Sequence, residues 1–283
     1  MSQKPIIALH LGVHKTATTY LQSKLNNSTG ELTKNGISYI PLGRLRRTVT
    51  SQLDETDFSN QQLMDALKPY LNCQRLILSD ENLIGGMFKP KANFIYDDVA
   101  RRLKKLLSLL DNYSVEIFIT LRNYPEYFVS RYTESLRHYD FFSFEQYYDC
   151  VDFTTVSWLD VIDSIKSVYS GNITVTDYND FLNDEKNYFY SLLKKDNVNL
   201  KNAENNPTIR RARLSKEAYE IVNCFGSQYS KTSIKKLINF LENTPQDNPA
   251  TQFMPFTPLE IHAFSERYAR EMSLLNPFNA NNG

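Results

Sequence analysis

A lysine and three threonines follow an apolar run near the N-terminus, in the stretch IALHLGVHKTATTYLQ (residues 7–22). A helix-like pattern begins within this stretch, so the polar side chains fall at the start of a predicted helix. Backbone N–H groups at a helix N-terminus point at a bound anion, and the helix dipole favours negative charge there. A capped helix start would need only one hydroxyl group. The additional hydroxyl groups and the lysine predict a local site for a phosphate or sulfate group, built from Gly12, Lys15, Thr16, Thr18 and Thr19.

The spacing of this loop differs from that of nucleotide kinases, whose pattern is G-x-x-x-x-G-K-[ST]. Lys15 comes three positions after Gly12, and no second glycine stands between them. The shorter loop is expected to hold one phosphate closely and not to wrap a triphosphate. A small-molecule kinase remains an alternative, because LILSDEN (residues 76–82) places Asp80 after an apolar strand, where an aspartate could hold Mg²⁺.

A second motif lies in FITLRNYPEYFVSRY (residues 118–132). Arg122 ends an apolar strand, and an arginine there points into the ligand crevice of an open parallel sheet. Pro125 favours the first turn of a helix, and Ser130 lies two helical turns after Arg122. Both side chains could therefore contact one anion. The alternative is that Arg122 forms a surface ion pair and that Ser130 is an inert helix position.

Together the two motifs resemble those of sulfotransferases that use 3′-phosphoadenosine 5′-phosphosulfate (PAPS). The family's loop reads Lys, Ser/Thr, Gly, Thr, Ser/Thr and an aromatic residue, and the matching residues here are Lys15, Thr16, Thr18, Thr19 and Tyr20. The resemblance implies that the loop, with Gly12 and His14, holds the 5′-phosphosulfate. It also implies that Arg122 and Ser130 hold the 3′-phosphate. Weaker similarities extend over most of the chain, at SDENL (79–83), NNPTIRR (205–211) and FSERYAREMSLL (264–275).

Ala17 stands where the family usually has glycine. A Cβ atom costs little there if the backbone is right-handed, whereas a positive φ counts against the assignment. Two arginine clusters, GRLRR (43–47) and RRAR (210–213), are further candidates for contacts with an anion, since guanidinium groups suit phosphate and sulfate. From the second cluster we assign Arg210 to the donor site.

The resemblance implies transfer of a sulfuryl group to a hydroxyl or amine, without a metal ion. Lys15 would stabilise the negative charge that grows on the leaving phosphate, and a general base would take the proton of the acceptor. Glu81 is our first candidate for the base because it directly follows a buried strand; a carboxylate that merely stabilises a helix N-terminus is the alternative. Further candidates are Asp80, His14 and His138, whereas His10 and His262 are expected to be structural.

Strands and helices alternate along the chain. The predicted strands are PIIALHL (5–11), QRLILSD (74–80), SVEIFITLR (114–122), NITVTDY (172–178) and, more weakly, GISYIP (36–41). This alternation predicts an α/β fold, a three-layer sandwich around a mostly parallel sheet, which we expect to be P-loop-like. The whole chain, residues 1–283, is predicted to be a single domain whose last part, from about residue 201, is a helical extension.

The composition narrows the function classes. Lys and Arg together number 32, as do Asp and Glu, so no global charge attracts nucleic acid. Three scattered cysteines show no metal-binding spacing, which is typical of reduced thiols. No signal peptide or membrane span is evident, so a soluble, cytoplasmic protein is expected.

The acceptor is expected to be a small molecule, with a saccharide favoured. The aromatic segment YDFFSFEQYYD (139–149) could stack on sugar rings, although core packing is the more ordinary role of such a segment. Besides the kinase, a non-catalytic protein that binds a nucleotide or a partner on the same fold remains an alternative.

Overall fold

A computed structural model describes residues 4–87, 96–202, 214–244 and 251–275 of the chain. Its centre is a sheet of five strands, all parallel, in the spatial order β2-β3-β1-β4-β5. The strands are β1 (Ile6–His10), β2 (Ile37–Tyr39), β3 (Arg75–Ser79), β4 (Val115–Leu121) and β5 (Ile173–Asp177). The prediction of an α/β fold around a parallel sheet is confirmed.

Helices fill most of the remaining described chain. They are α1 (Thr18–Asn27), α2 (Thr29–Lys34), α3 (Leu42–Thr48), α4 (Asn60–Leu67), α5 (Val99–Leu109), α6 (Tyr124–Ser135), α7 (Phe144–Asp149), α8 (Trp158–Lys166), α9 (Tyr178–Asn183), α10 (Glu185–Leu193), α11 (Lys216–Phe225), α12 (Lys231–Asn243) and α13 (Pro258–Leu275). Four short 3₁₀ helices span Thr50–Asp54, Lys68–Tyr70, Glu81–Ile84 and Gly226–Gln228. Not one of the helices in the described ranges combines the length and the apolar character needed to cross a membrane.

Apolar side chains cover both faces of the sheet because successive residues of a strand point to opposite sides. Leu9 of β1 belongs to one buried cluster, together with side chains of α5, α6 and α8. Ala8, its neighbour, belongs to the other, together with side chains of α1, α2 and α10. The sheet is therefore the middle of three layers, as the alternation of strands and helices predicts.

The last two described ranges form three helices that pack on the rest of the chain. An antiparallel bridge joins Ser215 to Gln252, and α11 packs against α12. Helix α13 lies against α6, where the Tyr124 hydroxyl donates to the carboxylate of Glu271. The predicted start of the helical extension, at residues 201–208, falls mostly outside the described residues.

The carboxyl ends of three neighbouring strands position the residues singled out in the sequence. His10, the last residue of β1, pairs with Ser79 at the end of β3 and with Phe118 in β4. The segments that follow these strands therefore leave the same edge of the sheet side by side. Ligands of open parallel sheets bind at this edge, where the strand order reverses. In this sheet the reversal centres on β1.

Candidate functional site

The loop between β1 and α1 opens with a glycine that no other residue could replace without strain. Gly12 has φ +83°, a value that favours glycine. A Cβ atom built on Gly12 would lie only 2.8 Å from the Cβ atom of Glu81. Both observations require a glycine, and the second shows that Glu81 packs directly against the loop. The sequence-predicted loop and the first candidate base are therefore neighbours.

Two further residues of the loop have left-handed backbone: Lys15 with φ 68° and Ala17 with φ 57°. A Cβ atom in this region costs roughly 1–2 kcal/mol, so Ala17 occupies a conformation that suits glycine better. By the criterion set from the sequence, this positive φ counts against a simple transfer of the family's loop. Ala17 is also the N-cap of α1, and its side chain makes no capping hydrogen bond.

The hydroxyl groups of the loop differ in what they contact. Thr16 Oγ1 donates to the carbonyl oxygen of Val13 at 2.6 Å, so its hydrogen stabilises the loop itself. Thr18 is buried and Thr19 is exposed, and neither hydroxyl has a hydrogen-bond partner among the residues that the structure describes. The first turn of α1 contains no acidic residue. This helix start is thus suited to an anion.

Arg122 joins the second motif to the loop. Its Nη1 atom donates to the carbonyl oxygen of Lys15 at 2.7 Å, and its Nη2 atom donates to Glu126 Oε2 at 2.9 Å. The guanidinium also lies over the ring of Tyr178, 4.8 Å from its centroid. The predicted alternative, an ion pair, therefore exists; its arginine is buried at the carboxyl end of β4 and also contacts the loop, whereas Glu126 is partly exposed.

A small cavity connects Lys15 with Ser130, the other residue of the second motif. Its volume is about 50 Å³, enough for one small group. One side carries polar groups from the loop and α6, and the other side is a wall from the C-terminal segments. The lining residues are Lys15, Glu126, Val129, Ser130, Thr133, Arg137, Leu214, Gln252, Phe253 and Met254. The tertiary structure thus places Lys15 and Ser130 at one opening, next to the cation Arg137.

Glu134, which the sequence analysis did not single out, binds two of these lining residues and also His138. Its Oε2 atom lies 3.2 Å from Lys15 Nζ and 3.2 Å from Arg137 Nη1. Its Oε1 atom lies 3.1 Å from His138 Nε2. Arg137 and His138, just past the end of α6, follow Glu134 at i+3 and i+4, so these two pairs could have been found in the sequence. The contact with Lys15 spans 119 residues and could not.

His138 keeps more than half of its side chain exposed (55%) while Glu134 orients its ring. The imidazole is therefore accessible from solvent, and Glu134 links it to Lys15. This combination of an exposed ring and an orienting carboxylate is the arrangement that general bases use.

Glu81 lies in a second polar cluster, next to Gly12 of the loop. Gln22 Nε2 donates to Glu81 Oε2 at 3.2 Å, and Arg46 Nη2 donates to Glu81 Oε1 at 2.9 Å. Arg46 also binds Asp80 Oδ1 through Nε and Nη2, at 3.1 and 3.0 Å. Burial alone would raise the pKa of Glu81, but the adjacent His14 ring, hydrogen bonds to the carboxylate and the Arg46 guanidinium outweigh it and lower this pKa. A carboxylate so stabilised is a weak base.

His14 is buried with both ring nitrogens engaged. Nδ1 lies 2.7 Å from the Tyr96 hydroxyl, and Nε2 lies 3.2 Å from Asn82 Oδ1. A neutral ring satisfies both contacts when the tyrosine donates to Nδ1 and Nε2–H donates to the amide oxygen. Burial lowers the pKa of His14, which agrees with a neutral ring. The side chain shapes the loop more readily than it reaches an acceptor.

The two remaining histidines contact other parts of the fold. His10 lies between Ser79 Oγ at 2.8 Å and the Tyr188 hydroxyl at 3.0 Å, and burial lowers its pKa to about 4. His262 is exposed on α13, 3.3 Å from Glu266. His10 therefore packs inside the fold, whereas His262 forms a surface pair.

The other candidate residues from the sequence analysis lie in different parts of the chain. Arg210, assigned to the donor site, lies outside the described residues. From the cluster 43–47, Arg46 contacts Asp80 and Glu81 instead of standing open to an anion. In the aromatic segment 139–149, Phe144 and Tyr147 are buried in the core, while Tyr139 and Tyr148 are partly exposed. Within the described ranges, no group of three or more His, Cys, Asp or Glu side chains is arranged to hold a metal ion.

A scan of the chain against protein-family models finds no match. A search of curated proteins likewise finds no match.

Proposed function

We propose that the protein is a sulfotransferase that moves a sulfuryl group from PAPS to a hydroxyl or amine of a small acceptor, with a saccharide as the favoured class. The observation that carries this proposal is the hydrogen bond from Arg122 to the Lys15 carbonyl. It joins two motifs that lie 107 residues apart in the sequence and that were assigned independently to the two ends of one donor.

The described residues suit such a donor chemically. Lys15 and Arg137 line the cavity with the hydroxyl of Ser130, and Arg122 binds the Lys15 carbonyl near the uncapped start of α1. Each of these cations also pairs with a carboxylate, which an anionic donor would have to displace in part. Guanidinium and ammonium groups with backbone N–H donors are the usual ligands of phosphate and sulfate. The loop joins the central strand β1 to the following helix, as in a P-loop; we include a P-loop-like fold in the proposal on this ground. Left-handed Ala17 is the feature that fits least well.

In the proposed reaction, the bond between sulfur and the bridging phosphate oxygen breaks, and a bond forms between sulfur and the acceptor's oxygen or nitrogen. The electron pair of the broken bond goes to the phosphate oxygen, where Lys15 Nζ stabilises the new charge. Arg122 holds the backbone of Lys15 and thereby fixes the direction of the loop. The proton of the acceptor goes to a general base.

His138 is better placed for this base than Glu81. Glu81 is ion-paired with Arg46, and its pKa is lowered. His138 is exposed, and it shares Glu134 with Lys15. Glu134 would thus orient both the base, His138, and the cation that stabilises the leaving group, Lys15. The base would act on the acceptor and the cation on the donor of the same sulfuryl transfer. We therefore propose His138 as the base and a supporting role for Glu81.

Nucleotide binding tests the proposal against its two alternatives. A thermal shift with adenosine 3′,5′-bisphosphate in the absence of Mg²⁺ is expected for a sulfotransferase. A shift with ATP and Mg²⁺ only would instead indicate a kinase, for which the ion-paired Asp80 is the nearest candidate residue. A chain that binds the bisphosphate but transfers no sulfuryl group to any acceptor in a saccharide screen with PAPS would be a non-catalytic nucleotide-binding protein.

A further inference from the structure

We propose that Gln22, Asp80 and Glu81 form a cradle for an ammonium group, and that Arg46 covers this cradle until a ligand of the amino-sugar class displaces it. The description of this ligand as the acceptor rests on the proposed function, but the cradle itself does not. We refer to Gln22, Asp80 and Glu81 as the acidic cradle.

One guanidinium serves two carboxylates in this cluster. Arg46 binds Asp80 Oδ1 and Glu81 Oε1 with the same Nη2 atom, at 3.0 and 2.9 Å. The arginine side chain is 41% exposed, whereas the carboxylates are 0% and 11% exposed. Arg46 therefore covers two buried carboxylates from the solvent side, and it is the member of the cluster that can swing away without disturbing the core.

Two buried oxygen atoms of the acidic cradle lack a hydrogen-bond partner among the described residues: Asp80 Oδ2 and Gln22 Oε1. The Gln22 amide cannot be reversed to remove this deficit. Its nitrogen donates to two acceptors, the Ser79 carbonyl and Glu81 Oε2, both at 3.2 Å. A buried acceptor without a donor destabilises the folded protein, because its hydrogen bond to water has been lost. Both atoms could accept hydrogen bonds from a ligand.

The number and charge of these groups favour an ammonium group over a neutral hydroxyl. Displacement of Arg46 releases Glu81 Oε1, so the acidic cradle then offers three acceptors without a donor: Asp80 Oδ2, Gln22 Oε1 and Glu81 Oε1. A primary ammonium carries three N–H donors and no acceptor. An ammonium also replaces the positive charge that is lost when Arg46 is displaced. A neutral hydroxyl would leave the two buried carboxylates without a cation. The neighbouring imidazoles of His10 and His14 do not supply this charge, because burial lowers the pKa of both.

The position of the cradle suits a substrate of the proposed reaction. Glu81 packs against Gly12, so an ammonium bound to Glu81 lies beside the loop. The other groups of the same ligand would then lie near the loop, where a transferred group would arrive. A polyhydroxylated molecule with one amino group meets both requirements. Glu81 would then anchor the ligand and leave the role of base to another residue.

Isothermal calorimetry with glucosamine and its neutral counterpart glucose tests the cradle, at a mildly acidic pH that keeps the amine protonated. The wild-type protein is expected to bind glucosamine roughly tenfold more tightly than glucose, the effect of one charge-assisted contact. Asp80→Asn removes a carboxylate charge at nearly constant shape and should abolish this preference. Arg46→Met removes the competing cation and should strengthen glucosamine binding by about tenfold. Arg47→Met, one residue along α3, removes the same charge without touching the cradle and should change nothing.

The opposite effects of the two variants keep the test decisive even if Asp80→Asn is unstable. Three outcomes would each overturn the proposal. The first is equal affinity for the two sugars, and the second is no binding of either, which would mean that the cradle holds only water. The third is weaker binding of glucosamine by the Arg46→Met variant than by the wild-type protein. Adenosine 3′,5′-bisphosphate is titrated into the same proteins. If it fails to bind while the preference for glucosamine and its response to Arg46→Met are present, the sulfotransferase proposal falls and the cradle stands. If it binds normally while the sugars are not distinguished, the cradle alone is wrong.

Discussion

Arg122 Nη1 donates a hydrogen bond of 2.7 Å to the backbone carbonyl of Lys15, and this contact links the carboxyl end of β4 to the loop after β1. Arg122 thus has two tasks in the proposed site. In the proposed function its charge would bind the 3′-phosphate, and its Nη1 atom holds the loop. The ion pair with Glu126 competes with the first task, since a carboxylate occupies part of the guanidinium.

Replacing Arg122 with alanine is expected to weaken the binding of adenosine 3′,5′-bisphosphate by roughly 2–3 kcal/mol, the scale of a charge-assisted contact. Binding of adenosine 5′-phosphate, which lacks the 3′ group, should change much less. Glu126→Gln is the matched control: it leaves Arg122 in place, removes the competing charge and should not weaken either ligand. Equal losses for both nucleotides in calorimetry would show that Arg122 acts only through the loop.

Lys15→Ala is expected to lower turnover by about 10²–10³, as for the loss of one transition-state donor. The fold should survive, because the ammonium lies at a cavity opening and contributes no core packing. Lys34→Ala, at an exposed position on α2, is the control and should have full activity. Turnover is measured with an acceptor found by the PAPS screen. Normal turnover of the Lys15 variant would mean that another cation stabilises the leaving group.

The choice of general base is tested by a pair of substitutions. His138→Gln is expected to cut turnover by about 10²–10⁴ and to leave the affinity for adenosine 3′,5′-bisphosphate unchanged. Glu81→Gln keeps the hydrogen-bonding shape and should lower turnover much less, because Arg46 already suppresses the basicity of this carboxylate. The opposite ranking in steady-state kinetics would restore Glu81 as the base. Full activity in both variants would show that proton removal does not limit the rate.

The left-handed backbone at Ala17 predicts an unusual response to glycine. Ala17→Gly removes a steric cost of roughly 1–2 kcal/mol and adds unfolded-state entropy worth about 0.4–1 kcal/mol. The free energy of unfolding should therefore rise slightly or stay constant. Ala100→Gly in the right-handed helix α5 is the control and should lose about 0.5–1 kcal/mol. Urea denaturation measures both, and an equal loss in the two variants would contradict the left-handed conformation.

Stability is expected to depend on pH through His10. Burial lowers the pKa of His10 from 6.5 to about 4, so the unfolded chain binds a proton more readily than the folded one. Between these values the free energy of unfolding rises with pH, and the contribution is lost as the pH falls through the same window. The full effect is about 3 kcal/mol, and His14, whose pKa is also lowered, adds to the trend.

Urea denaturation across this pH range checks the prediction with one variant and one control. His10→Gln should flatten the dependence, whereas His262→Gln, at an exposed position, should leave it unchanged. A wild-type protein whose stability is constant between about pH 4 and 6.5 would show that the buried ring titrates normally.

Local sequence patterns predicted the strands of the described fold and their parallel arrangement. Apolar runs identified all five strands, including the short β2, and their alternation with helices predicted a parallel sheet. The positions of Lys15 and Arg122 just after two of these strands implied that both lie at one edge. The strands could be recognised because the spacing of apolar residues along a strand is a local property of the sequence. The shared edge could be inferred because the carboxyl ends of parallel strands lie side by side.

Only the tertiary structure decided how the charged side chains pair and how the loop bends. The contacts of Lys15 with Glu134 and of Arg46 with Asp80 join segments that are 119 and 34 residues apart, and no periodicity encodes such pairs. The positive φ of Ala17 likewise has no signal in a residue that usually favours a right-handed helix. These features depend on the path of the whole chain, because burial and proximity to opposite charge arise only when distant elements pack together.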